Sequence, residues 1–138
     1  ASHERQPPRL TKKAKDAIAL YKQSYAHYKK GRYEKAIDGF MSFVDQYPDH
    51  GHADNAVYWM AECYYTRALW KKALSTFQQV IATYPLGNKA PDAMFKMGLC
   101  YVQLRDYEQA REVLSQVVDI YPDNPVAKLA RKHLERIP

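Results

Sequence analysis

Glycine is scarce in this 138-residue chain, with five, and cysteine scarcer still, with two. Few glycines and few β-branched runs leave little of the turn chemistry that hairpins, sandwiches and barrels require. Two cysteines, Cys63 and Cys100, exclude a disulfide-dense scaffold. No apolar run approaches the roughly 18–20 residues needed to cross a bilayer. The opening ASHERQPPRL has no apolar core of a signal peptide, and a start at Ala1 is expected of a mature or excised fragment. There is no glycine-rich phosphate loop, no Cys/His pair at a nucleophile–base spacing and no paired-carboxylate signature, so neither catalysis nor a cofactor is expected. His50 and His52, in DHGHAD, lack further ligands at metal-site spacing, so no metal is expected.

What is present begins with lopsided charge. The net charge is +6. Residues 1–35 hold ten Lys/Arg and three acids, while the remainder holds eleven basic and twelve acidic residues. Such a segment reads as a solvated first helix behind a flexible leader, residues 1–9. Its rival is a footprint for nucleic acid or another anionic surface, marked by steep salt dependence. No nucleic-acid partner is expected on the first reading.

The chain repeats itself. Tyr-Pro recurs at Tyr47-Pro48, Tyr84-Pro85 and Tyr121-Pro122, each 37 residues after the last. The same step links Tyr33, Trp70 and Tyr107; Ala36, Ala73 and Ala110; and Phe40, Phe77 and Leu114. A period of this size marks a solenoid or array. Within the second copy, Val57, Met60, Ala61 and Tyr64 share one helical face, and Ala73, Phe77, Val80 and Ile81 share another. Pro85 ends the second helix. In the first copy the turn is Lys30-Gly31-Arg32, with Gly31 suited to a left-handed helix terminus.

Each unit therefore reads as helix–turn–helix, over about 14–48, 53–85 and 90–122 in a domain of residues 10–138. Small residues, Ser24, Ala61 and Gly98, stand where paired helices must approach closely. The segments HADNA and KAPDA are expected to add about a turn to the helix that follows, with Pro91 tolerated at its start. A final amphipathic helix over about 124–137, with Val126, Leu129, Ala130, His133, Leu134 and Ile137 as its stripe, is expected to cap the stack.

Small residue, turn aromatic, small residue and terminal proline, in that order, resemble the tetratricopeptide repeat family over nearly the whole chain. The family's usual period is 34, so this chain adds three residues per repeat. The resemblance implies an all-α solenoid of three helix pairs plus the capping helix. It places the first helix of each pair on the concave side. The groove-facing positions are then Tyr21, Tyr25, Tyr28 and Lys29 in the first copy; Asn55, Tyr58, Glu62, Tyr65 and Thr66 in the second; and Asp92, Phe95, Leu99, Val102 and Gln103 in the third. A tyrosine-rich trough suits a protein or peptide segment, since each ring offers rigid apolar area with a polar tip. Trp59 falls outside this phase and is expected in the core, facing the preceding pair. Cys63 and Cys100 occupy equivalent positions in adjacent pairs. Helix packing sets these about 8–10 Å apart, beyond disulfide reach, so both are expected reduced and buried. The clamp that some family members use for chaperone C-termini needs Lys, Asn, Asn, Lys and Arg along the groove. Only Lys29 matches in type, so that function is not expected.

Three segments carry a narrower resemblance: YKKGRYEKAIDGFMSFVDQYPD, ADNAVYWMAECYY and KAPDAMFKMGLCYVQLRDYEQAREVLSQVVDIYPDNPVAKLA. In order, phase and insertions they are similar to the C-terminal domain of the Tol-Pal-associated YbgF/CpoB family, over roughly residues 17–135. Met60-Ala61 replaces that family's Leu-Gly, and Leu69-Trp70 its Asp-Tyr. The resemblance implies a periplasmic adaptor of the Gram-negative envelope that binds a TolA-like partner at division, with self-association left open. Another envelope assembly or motility scaffold of lipoprotein type is the alternative.

Overall fold

The structure, a computed structural model, describes residues 9–138; the expected leader lies almost wholly outside the described residues. Seven helices follow one another: α1 (Lys12–Lys29), α2 (Tyr33–Gln46), α3 (Ala53–Thr66), α4 (Trp70–Thr83), α5 (Ala90–Gln103), α6 (Tyr107–Ile120) and α7 (Pro125–Arg136). Each packs against the next. Besides these neighbours, α1 touches α3, α3 touches α5 and α5 touches α7, whereas α2, α4 and α6 do not meet one another among the described residues. The stack is therefore tighter on the side of the first helices, which makes that side the inner, concave face.

The turns inside the pairs explain why the period is kept. Gly31, Ala68 and Arg105 are 37 residues apart, and all three take positive φ, at 75°, 59° and 60°. Each follows the end of a first helix. The amide after it donates back to the carbonyl five residues earlier: Arg32 to His27, Leu69 to Tyr64 and Asp106 to Tyr101. This is a Schellman closure, which satisfies carbonyls that the helix end would orphan. Glycine relieves it in the first copy only; Ala68 and Arg105 hold a conformation that a Cβ disfavours. As expected from the insertions, α3 and α5 begin early, at Ala53 and Ala90, and Pro91 sits in the first turn of α5.

The second helices start less evenly. Asp106 accepts from the Gln109 amide at 3.3 Å and so caps α6, but the equivalent Leu69 gives α4 no side-chain cap. The backbone is alike at the two sites, φ −90° ψ 70° against φ −90° ψ 76°. Replacing Leu69, which is 38% exposed, with Asp is expected to stabilise the fold by ~1 kcal/mol. A raised urea midpoint with unchanged slope would show it.

Three apolar clusters run along the stack. Phe40 and Phe43 of α2 anchor the first, Phe77 and Val80 of α4 the second, and Leu114 and Val117 of α6 the third. Gly98 is required where α5 meets α6, because a Cβ there would collide with the fully buried Leu114. Met60, expected to face its own partner helix, instead joins the cluster of Ile37, Phe40 and Phe43 in the preceding pair. The outer side of α1 shows what that environment does. Asp16, Ala19, Gln23 and Ala26 are exposed, whereas Ala53, Ala56, Met60 and Cys63, at the equivalent positions of α3, are buried. At the other end α7 buries Val126, Ala127 and Ala130 against α6 and Phe95, as a capping helix would. Leu129 does not share its buried stripe and is 44% exposed; Ala127 takes that place.

Candidate functional site

Position by position, the first helices sort the expected groove residues into three kinds. Tyr21, Tyr58 and Phe95 are equivalent, and the groove assignment needs correction for two of them. Tyr58 is 7% exposed and Phe95 8%. Tyr58 packs on Phe77 with ring centroids 5.5 Å apart, in a cluster with Ala93 and Cys100 of α5. Phe95 sits with Leu114, Val126 and Ala130, and meets the His133 ring at 5.6 Å. The next helix pair, or α7, closes over this position. Lys29, Thr66 and Gln103 lie at the open end of each helix and are exposed. Tyr25, Tyr28, Asn55, Glu62, Tyr65, Asp92, Leu99 and Val102 are half-buried and line the inner face.

Trp59 corrects a second expectation. It does face the preceding pair, but it lies among the groove tyrosines and only half-buried. Its ring stands 5.2 Å from each of Tyr25, Tyr28 and Tyr58, and its Nε1 donates to Tyr21 Oη at 3.1 Å. Tyr21 in turn stacks on His52 at 4.7 Å and packs on Phe40 and Phe43. His50 accepts from the His52 amide through Nδ1 at 3.0 Å. The two histidines thus fasten the α2–α3 loop to the aromatic face. Burial, with His52 beside it, lowers the His50 pKa, which keeps that acceptor free.

Cations lie over the rings. Lys29 Nζ stands 5.9 Å from the Tyr25 centroid, Lys89 Nζ 5.1 Å from Tyr58 and 5.2 Å from Trp59, and Lys96 Nζ 4.4 Å from Tyr65. Lys96 also comes within 3.1 Å of Glu62 Oε1, yet off the line a hydrogen bond needs: that oxygen is buried with no aligned donor. Asn55 Oδ1, two turns earlier on α3, is likewise buried and unpartnered. Burial chiefly, and the Glu62 carboxylate next, push Tyr28 up to about 12 and raise Tyr58 further. Both hydroxyls stay protonated donors at neutral pH. Sequence reasoning missed Lys89 and Lys96. The 37-residue equivalence of Lys96 with Trp59 was the signal available for one of them.

Asp54, 6% exposed, supports this surface from behind. Its Oδ2 accepts from the Lys89 amide at 3.3 Å, across a loop where a Cβ on Gly87 would come within 2.6 Å of the same oxygen. Lys89 is thereby held where its ammonium reaches two rings. Cys63 and Cys100 are free and buried, and burial pushes both thiols up to about 12, so neither offers a thiolate near neutrality. Among the described residues no three His, Cys, Asp or Glu side chains group as metal ligands, and no helix is long and apolar enough to cross a membrane.

The inner face is therefore an aromatic sheet with cations at its margins and unmet acceptors along α3. It suits non-covalent capture rather than bond-making. The architecture has close relatives among solved structures. PcrH from Pseudomonas aeruginosa superposes with a TM-score of 0.77 at 19% identity, over 94% of this chain and 95% of that one. The Yersinia enterocolitica type III secretion chaperone SycD, in complex with a peptide of the translocator YopD, gives 0.77 at 18%, over 89% and 92%. The first TPR of Spaghetti (RPAP3), bound to the HSP90 peptide SRMEEVD, gives 0.72 at 21%, over 89% and 93%. These likenesses concern the fold. No curated protein matches the sequence. The tetratricopeptide repeat profile matches residues 18–50, 55–86 and 92–124. Those three matches follow the three helix pairs, and the chain belongs to the tetratricopeptide repeat family.

Proposed function

We propose that this protein is a non-enzymatic scaffold whose inner face holds a segment of a partner protein. The observation that carries the reading is the continuous surface of Tyr21, Tyr25, Tyr28, Trp59 and Tyr65, all half-buried and joined edge to edge. Half-exposed aromatic rings on rigid helices lose little entropy on binding and give large apolar area. The fold relatives SycD and RPAP3 hold peptides, of YopD and of HSP90 respectively. The partner proposed here is a protein of the Gram-negative envelope, met in the periplasm, and TolA-like. That narrower part rests on the order and phase of the three segments that resemble the Tol-Pal-associated YbgF/CpoB family.

Photo-cross-linking tests both parts. A benzophenone amino acid at position 25, on the inner face, is expected to capture the partner in source cells. The same residue at Gln116, exposed on α6, is not. Equal capture from both positions would remove the groove from the proposal. Capture from position 25 of an envelope protein outside the Tol-Pal system would keep the scaffold and remove the Tol-Pal role.

A further inference from the structure

The inner face holds one geometric relation twice, with different chemistry. Residues 22, 59 and 96 are equivalent, and the later two each reach back over the preceding first helix. Trp59 lies over Tyr25 and Tyr28. Lys96 lies over Glu62 and Tyr65, the residues 37 positions after that pair. The first seat is therefore aromatic on aromatic. The second is a cation on a carboxylate and a ring.

That second seat is only loosely filled. The side chains of Lys96 and Glu62 are 23% and 13% exposed, and the lysine meets the carboxylate without an aligned hydrogen bond. A flexible, well-hydrated ammonium gains little from such an arrangement. A guanidinium suits the same surroundings better. It stacks on a ring face and presents a planar fork to a carboxylate. Asn55 Oδ1, seven residues before Glu62 on the same helix, offers the next buried acceptor about 10 Å along the groove.

We infer that the segment held by the inner face carries an arginine, whose guanidinium displaces Lys96 and pairs with Glu62 against the ring of Tyr65. Lys96 acts as a resident stand-in for the partner's cation, and leaves by swinging its stem toward solvent. The groove accordingly selects basic over acidic segments at this point, although lysines border it. This inference rests on the groove reading above and names the chemistry that the groove accepts.

Selection from a random-dodecapeptide phage library on the 138-residue protein tests it. Recovered peptides are then synthesised with each arginine changed to glutamine. Arginine is expected to be enriched, and its loss to weaken binding about tenfold, the scale of a charge-assisted pair. With Glu62→Gln the two peptides are expected to bind alike. With Lys96→Met the arginine peptide is expected to bind about threefold tighter, a competing cation having gone. Thermal melts of both variants check that they fold. Enrichment of acidic peptides whose binding falls in Lys96→Met, or an arginine preference that survives Glu62→Gln, overturns the inference. The groove reading then stands or falls separately. It stands if Tyr25→Ala with Tyr28→Ala weakens every recovered peptide, and falls if that variant binds them as wild type does. Failure to enrich any peptide overturns both.

Discussion

Phe77→Ala is expected to destabilise the protein by ~3–5 kcal/mol, the range for emptying a fully buried aromatic site. The ring is 0% exposed and centres the middle cluster, which draws Val57, Tyr58 and Ala61 from α3, Ala73 and Val80 from α4, and Ala93 and Cys100 from α5. Those neighbours come from two successive helix pairs, so relaxation of one leaves the other unsupported and the cavity cannot close. In a stack where each pair meets only its neighbours, the loss falls on the interface that couples the two ends. Urea unfolding is therefore expected to show both an earlier midpoint and a shallower slope, as the end pairs begin to unfold separately. Phe40→Ala, at the equivalent place in the first pair, is expected to lower the midpoint while the remaining pairs still melt together. A Phe77→Ala protein within ~1 kcal/mol of wild type would contradict the packing described here.

The helix pairs were legible because they depend on local signals repeated in phase. Gly31, Pro85 and the recurring Ala36, Ala73 and Ala110 each state where a helix starts, stops or meets its partner. The groove was legible only in part, and the errors share one cause. A helical wheel sorts residues by direction around one axis and by reference to one partner helix. Each first helix here has three neighbours: its own partner, the preceding pair and the pair that follows. Tyr58 and Phe95 point toward the inner side, yet α5 and α7 cover them. Met60 and Trp59 belong to the preceding pair for the same reason. Residue class misled too. Lysine on a helix reads as solvated, and nothing in the composition of KAPDAMFKMG says that Lys89 and Lys96 lean back over rings of an earlier helix. Only the comparison of position 96 with position 59 carries that information, and it needs the stacking geometry to be interpreted.

Trp59→Ala is expected to weaken partner binding by ~2 kcal/mol or more, about 30-fold, as truncation of a central aromatic anchor does. Trp59 is the residue that joins the tyrosines of α1 to those of α3: its ring meets Tyr25, Tyr28 and Tyr58, and its Nε1 holds Tyr21 Oη. Without it the two halves of the face are no longer one surface, and Lys89 loses one of its two rings. Trp59→Phe separates the parts of this effect. It keeps a ring against Tyr25 and Tyr28 and removes only the donor to Tyr21, a loss of ~1 kcal/mol in stability. Binding in that variant is expected to fall far less than in the alanine variant. Titration of each protein with the peptides recovered from the dodecapeptide selection measures the difference, and a melt of each separates binding from unfolding. Trp59 can also report directly. The chain has one other tryptophan, Trp70, packed on Tyr65 at 5.0 Å. In a Trp70→Phe background the emission of Trp59 is expected to shift when a segment covers the inner face. An unmoved spectrum at saturating peptide, or a Trp59→Ala protein that is folded and binds as wild type does, would place the bound segment elsewhere on the solenoid.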